Sequence, residues 1–184
     1  MSPARTFSDM QIFMVGRGGQ GILVLARALA QWAAGTGSEV ITSETHGMAM
    51  RGGTVTASLK IGAYAGPLIP AGSADVLIGL DGQEALSHLA MLRQGGVSIV
   101  NASDRGPFDH ALDASGIAWS LGSPGAANMV MLGLTARVLG IEPLTAEGIV
   151  KSISRPASFK ANRAALLAGF ESLKDHKHLK KGCE

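Results

Sequence analysis

Hydrophobic positions in this chain fall into short continuous runs broken by glycine, alternating with longer stretches of helical period. Residues 11–15 form an apolar run that stops abruptly at Gly16, the pattern of a buried strand. Residues 16–21 then read as a loop. Residues 22–34, rich in Leu and Ala, read as a helix stopped by Gly35. Residues 39–42 predict a second strand, and 54–61 alternate as a third with one wetter face. Residues 75–80 predict a fourth strand, after which Asp81 caps a helix running to about Met91. Residues 97–100 predict a fifth strand and 117–120 a sixth. Residues 128–139 form a strong helical pattern ended by Gly140, with further helices over 145–153 and 156–174.

Strands that alternate with helices predict an α/β fold, a three-layer α/β/α sandwich on a mostly parallel sheet. The stretch 39–62 departs from the alternation. About ten loop residues and no helix join its two strands, too little chain for a parallel crossover, so this pair is expected to be antiparallel. No repeat or linker divides the 184 residues. They predict one domain over 1–184 with a polar basic tail from about residue 175.

Composition narrows the function. Hydrophobic residues make up 46% and charged residues 16%, which excludes a disordered chain. The mean hydropathy of +0.24 is high for a lone soluble chain and hints at an exterior covered by a partner. Arg27, Gln31 and Arg137 interrupt the apolar stretches, so no membrane span is predicted. No secretory apolar core follows the first residues, which predicts a cytoplasmic protein. The single cysteine, Cys183, excludes an internal disulfide and cannot by itself hold an iron–sulfur cluster or a structural zinc; no metal site is expected. The net charge of +2 is uneven: residues 151–184 carry 8 of the 16 basic side chains and 3 of the 14 acids. Without interleaved aromatics this basic end does not predict nucleic-acid binding.

Two segments carry candidate chemistry. Gly16-Arg17-Gly18-Gly19-Gln20-Gly21 fits G-x-G-x-x-G between a strand and a helix. Such glycines permit a tight turn and close ligand approach, and the helix start presents free N–H groups to an anion. Glu44 lies 23 residues beyond Gly21, near where a dinucleotide fold places its ribose-binding acid. Against that reading, a long polar loop follows Glu44 in place of a crossover helix, and little chain is left for a substrate domain. The glycines serve equally well for a tight turn and helix packing alone. The second segment is Glu44-Thr45-His46-Gly47-Met48-Ala49-Met50-Arg51-Gly52-Gly53. Arg51 offers a forked donor and Gly52 and Gly53 free backbone N–H groups for an anion. His46 reads either as an acid–base group or as a hydrogen-bonding loop residue. Met48 and Met50 suit packing under the loop or against a partner.

Together, Met14-Val15-Gly16-Arg17-Gly18-Gly19-Gln20-Gly21, Ser43-Glu44-Thr45-His46-Gly47-Met48 and Arg51-Gly52-Gly53 resemble the gamma subunit of 2-oxoacid:ferredoxin oxidoreductases of the pyruvate/ketoisovalerate type. The His-Gly-Met form before Arg-Gly-Gly is most similar to the small (beta) subunit of the indolepyruvate enzymes. Residues 75–80 and Pro124-Gly125-Ala126-Ala127-Asn128-Met129 resemble later family segments, with Asn128 as the recurring polar residue. The likeness covers about residues 10–170. Ala49-Met50 departs from the polar residue that many relatives carry before the arginine.

The resemblance implies a subunit supporting oxidative decarboxylation of a 2-oxoacid to an acyl-CoA. Thiamine diphosphate and iron–sulfur clusters are expected on larger partner subunits, with ferredoxin as electron acceptor and coenzyme A as acyl acceptor. No cofactor is expected on this chain alone, and no catalytic residue. Gly16, Gly18, Gly19, Gln20, Gly21, His46, Arg51, Gly52, Gly53 and Asn128 are the expected anion- or interface-binding residues. The alternatives are a free-standing nucleotide-binding enzyme and a purely structural assembly domain.

Overall fold

Alternation within the first strand decides where the cores lie. The computed structural model describes residues 9–46 and 52–173. In β1 (Met10–Arg17) Ile12 and Met14 enter one core, while Phe13 and Val15 enter a second on the opposite face. A strand buried on both faces reads as a continuous apolar run, which explains why 11–15 lacks alternation. β1 is central in a six-stranded sheet of order β2-β3-β1-β4-β5-β6, comprising β2 (Val40–His46), β3 (Thr54–Ile61), β4 (Ala74–Gly79), β5 (Leu92–Asn101) and β6 (His110–Leu112). β1, β4, β5 and β6 are mutually parallel. β3 alone runs against its neighbours, antiparallel to both β1 and β2. The antiparallel pair expected near 39–62 is present.

The larger core lies under α1 (Ile22–Gly35), α3 (Ala114–Ser120), α4 (Ala127–Leu139), α5 (Pro143–Ile153) and α6 (Pro156–Glu171). The smaller core lies under α2 (Gly82–Ser87) and contains Ala85, Leu77, Val100 and Phe108. α4 is buried on every side from Asn128 to Ala136, because α6 covers the face it turns away from the sheet. Proline at the first helical position starts both α5 and α6.

Three expectations need correction. Residues 117–120 are not a strand. They are the end of α3, whose N-cap Asp113 accepts from the Gly116 N–H at 2.8 Å, and Ala114 and Ala118 face the core one turn apart. Three apolar residues followed by Ser120 are too short a run for the period to separate helix from strand. The sixth strand is instead His110–Leu112. The helix after Asp81 ends at Ser87 and gives way to a 3₁₀ turn at Leu89–Met91. There the carbonyls of Ala90 and Met91 accept from the N–H groups of Gly72 and Ser73, which ties the turn to the segment before β4. Gly35 does not stop α1. It is the last helical residue, Thr36 is the cap, and Gly37 takes the left-handed conformation with φ 82°.

Candidate functional site at the carboxyl ends of the central strands

β1 leads into α1 on one face of the sheet and its parallel neighbour β4 leads into α2 on the other. Chains that leave adjacent parallel strands in opposite directions open a crevice at their carboxyl ends, where ligands of open α/β sheets bind. The loop 16–21 forms one lip. Three of its glycines are required by local geometry. A Cβ on Gly16 would stand 2.8 Å from Gln20 Oε1 and 3.1 Å from the Leu80 Cβ. Gly19 and Gly21 have φ of 97° and 85°, which L side chains rarely adopt. Gln20, expected among the binding residues, braces the loop itself: its Oε1 accepts from the Arg17 N–H at 2.7 Å.

The two sequence motifs, more than twenty residues apart along the chain, meet here. The Gly18 N–H donates to the Gly53 carbonyl at 2.9 Å. Gly52 follows closely, its nitrogen 3.6 Å from where a Gly18 Cβ would be. His46 closes β2 with its backbone opposite Val55, and Arg51 lies outside the described residues.

Across the crevice stands α4. Asn128, in its first turn, is 8% exposed and packs its amide against Gly21, where any side chain would collide with it. The Asn128 amide has no hydrogen-bond partner among the described residues. It lines a cavity of about 190 Å³ with Gly19, Gln20, Leu80, Asn101, Ser115 and the turn before α4. Of the helices that start at this cavity, α1 and α4 lack a side-chain cap and an acid in the first turn, whereas α3, whose Ser115 also lines it, is capped by Asp113. The positive ends of α1 and α4 are left to whatever enters.

Composition and spacing do not point to several residues that shape the crevice. Asn101, at the end of β5, donates through Nδ2 to the Leu80 carbonyl at 3.1 Å and to Ser115 Oγ at 3.0 Å. Its Oδ1 accepts from the Ala114 N–H at 2.9 Å and from Ser115. The available signal is its place, a polar residue closing an apolar parallel strand. Arg17 Nε lies 3.2 Å from Asp81 Oδ2 and 3.6 Å from Glu84 Oε1. Thr54 Oγ1 donates to Glu84 Oε2 at 3.0 Å. Asp81 caps α2 as its sequence position predicts, accepting from the N–H groups of Gln83 and Glu84. On the flank, Ser98 N–H and Oγ both donate to Asp109, and the backbone bond holds that carboxyl below its ordinary range.

The geometry speaks against a dinucleotide. A ribose-binding acid belongs at the end of the strand beside β1, but β3 occupies that place. Glu44 pairs with Ala57, which pairs with Met14, so Glu44 is two strand spacings, about 10 Å, from β1. Titration of the chain with NADH is expected to give no micromolar binding, and Glu44→Ala is expected to leave the heat signal unchanged. Tight binding abolished by that substitution would reverse this reading.

Among the described residues no group of three or more His, Cys, Asp or Glu side chains is arranged to hold a metal ion. No helix among them is long and apolar enough to cross a membrane.

Comparison with known proteins agrees with the motifs. Residues 11–172 match the family model of pyruvate ferredoxin/flavodoxin oxidoreductase. The chain is similar to the indolepyruvate oxidoreductase subunit IorB of Pyrococcus horikoshii, 30% identical over 91% of this chain and 97% of the relative. It is 45% identical to the IorB subunit of Archaeoglobus fulgidus over 92 residues, a stretch covering 50% of this chain and 46% of that relative. The crystal structure of a keto/oxoacid ferredoxin oxidoreductase gamma subunit from Geobacter sulfurreducens superposes with a TM-score of 0.73 at 30% identity, over 91% of this chain and 98% of that one. A 2-oxoglutarate:ferredoxin oxidoreductase from Magnetococcus marinus, solved with 2-oxoglutarate, coenzyme A and succinyl-CoA bound, shares the fold. Its TM-score is 0.66 at 21% identity, over 96% of this chain and 32% of that one. The family match over residues 11–172 and the similarity over nearly the whole of both chains agree on one assignment: the chain belongs to the pyruvate ferredoxin/flavodoxin oxidoreductase family and is a gamma-type subunit of a 2-oxoacid:ferredoxin oxidoreductase complex.

Proposed function

We propose that the chain is the small subunit of an indolepyruvate-type enzyme and that its crevice holds a phosphoryl group of coenzyme A. Larger partner subunits carry thiamine diphosphate and the iron–sulfur clusters and pass electrons to ferredoxin. A four-thiolate cluster cannot be built from the single Cys183. When bound, coenzyme A supplies the thiol that accepts the acyl group. This chain's part is to bind and orient. Gly16 and Gly21 keep the approach free of side chains, and the starts of α1 and α4 offer uncompensated N–H groups. The observation that carries the reading is the Asn128 amide, which has no hydrogen-bond partner among the described residues and lines the cavity between those two helix ends. A cavity of about 190 Å³ is small for a whole nucleotide but ample for one phosphoryl group. The rest of the ligand extends along the strip of Gly18, Gly19, Gly52 and Gly53, toward the partner subunit.

Asn128→Leu tests this in the assembled complex. It is expected to raise the KM for coenzyme A about tenfold while kcat changes little, the loss of one good hydrogen bond to a charged group. The same substitution is expected to change the chain's stability little, because the Asn128 amide faces the cavity and makes no hydrogen bond within the described residues. An unchanged KM for coenzyme A would overturn the reading. Arg51→Ala is expected to impair turnover or partner affinity more than folding, and Arg51→Lys to restore only part, since an ammonium lacks the forked contact.

A further inference from the structure

The two glycine segments are held together by very little. Pairing of β1 with β3 ends at Arg17 and Thr54. Beyond that register, among the described residues, only the backbone bond from Gly18 N–H to Gly53 joins the two segments. A side-chain clasp stands directly behind it. Thr54 Oγ1 donates to one carboxylate oxygen of Glu84 at 3.0 Å, and the other oxygen faces Arg17 Nε at 3.6 Å. Arg17 also reaches Asp81 at 3.2 Å, and Asp81 caps the helix that carries Glu84. The last residue of β1 and the first of β3 are therefore both tied to the first turn of α2. Arg17 is half exposed while the Glu84 side chain is only 17% exposed. Ion pairs of this exposure add little to global stability. Their geometric effect is larger, because among the described residues the clasp and the single Gly18–Gly53 bond are what hold the spacing of the two loops beyond the β1–β3 ladder.

We propose that Thr54 and Glu84 are positioning residues of the crevice: by anchoring both glycine segments to α2 they set the distance between them, and with it the affinity for the acyl acceptor. This rests on the coenzyme A reading above. Neither residue touches the ligand. Each acts through the placement of Gly18, Gly52 and Gly53.

The test uses the assembled complex without 2-oxoacid, so that binding is read apart from turnover. Thr54→Val keeps the shape and strand preference of the side chain and removes the hydroxyl. Glu84→Ala removes the Thr54 and Arg17 contacts of Glu84 at once, leaving Arg17 on Asp81. Hydrogen exchange of the Gly18 amide reports the bond to Gly53 directly, and calorimetric titration gives the dissociation constant for coenzyme A. Both substitutions are expected to speed exchange at Gly18 about tenfold and weaken coenzyme A about five- to tenfold, with amides of α4 unaffected. The double substitution is expected to be no worse than Glu84→Ala, since both cut the same link. Unchanged exchange at Gly18 overturns the proposal, as does faster exchange with unchanged affinity. Asn128→Leu separates the two layers. If it weakens coenzyme A while Thr54→Val does not, the positioning role alone fails. If neither does, the coenzyme A reading fails with it.

Discussion

Gly133→Ala is expected to destabilise the chain by about 3 kcal/mol, seen as a fall in Tm of roughly 6–12 °C. Glycine in a helix interior is ordinarily a weakness, and alanine there adds about 0.5–1 kcal/mol of stability. Here the sterics win. A Cβ on Gly133 of α4 would run into the Leu166 carbonyl oxygen and stand 2.8 Å from the Phe170 nitrogen, both backbone atoms of α6. Gly169 of α6 meets the Val130 carbonyl of α4 in the same way. The two helices touch backbone to backbone at this pair, so neither can yield by turning a side chain. They must separate, and α4 is buried on every side and cannot follow. Gly169→Ala should cost a similar amount, and the double substitution less than the sum, because one separation accommodates both methyls. Gly148 in α5 is the control: it has open space around its missing Cβ, and Gly148→Ala should stabilise by about 0.5–1 kcal/mol. In the complex the same contrast is readable as hydrogen exchange of the α4 and α6 amides.

The second large effect is expected at Asn101. Asn101→Leu removes four hydrogen bonds that link the end of β4 and the start of α3 to the end of β5. The expected loss is about 2–4 kcal/mol, several net hydrogen bonds of about 1 kcal/mol with backbone partners left unpaired. Asn101→Asp separates the contributions. It keeps the acceptor for the Ala114 and Ser115 N–H groups but sets a carboxylate oxygen against the Leu80 carbonyl. It also adds negative charge to a cavity whose helix ends favour anions. Asn101→Asp should therefore weaken coenzyme A binding by more than its effect on Tm implies. Asn101→Leu should lower Tm more. Equal and small effects of both substitutions would mean that the cavity wall is held by something other than this amide.

Local chemistry was legible in the sequence wherever neighbours along the chain decide the outcome. The apolar run ending in glycine defines β1 and its loop, Asp81 its helix cap, Gly140 the end of α4, and the short link after Glu44 an antiparallel pair. The pairing of the two glycine motifs was enough to indicate the family. Residues 117–120 read as a strand because three apolar residues and a serine fit either period, and only the position of β6 leaves them to a helix. What the tertiary structure alone decided is distance across the sheet. G-x-G-x-x-G with an acid 23 residues on suggests a ribose contact until β3 is seen between β1 and β2. Arg17, Thr54 and Glu84 are unremarkable charged and polar residues until the β1–β3 register and α2 bring them together. Gly21 and Asn128 explain each other only in space, as do Gly133 and Leu166. Hydrophobic period and turn chemistry act within about one turn or one hairpin, so one chain segment carries them. Strand order and the contact between helices depend on pairs of surfaces far apart in the chain, and no single segment encodes its distant partner.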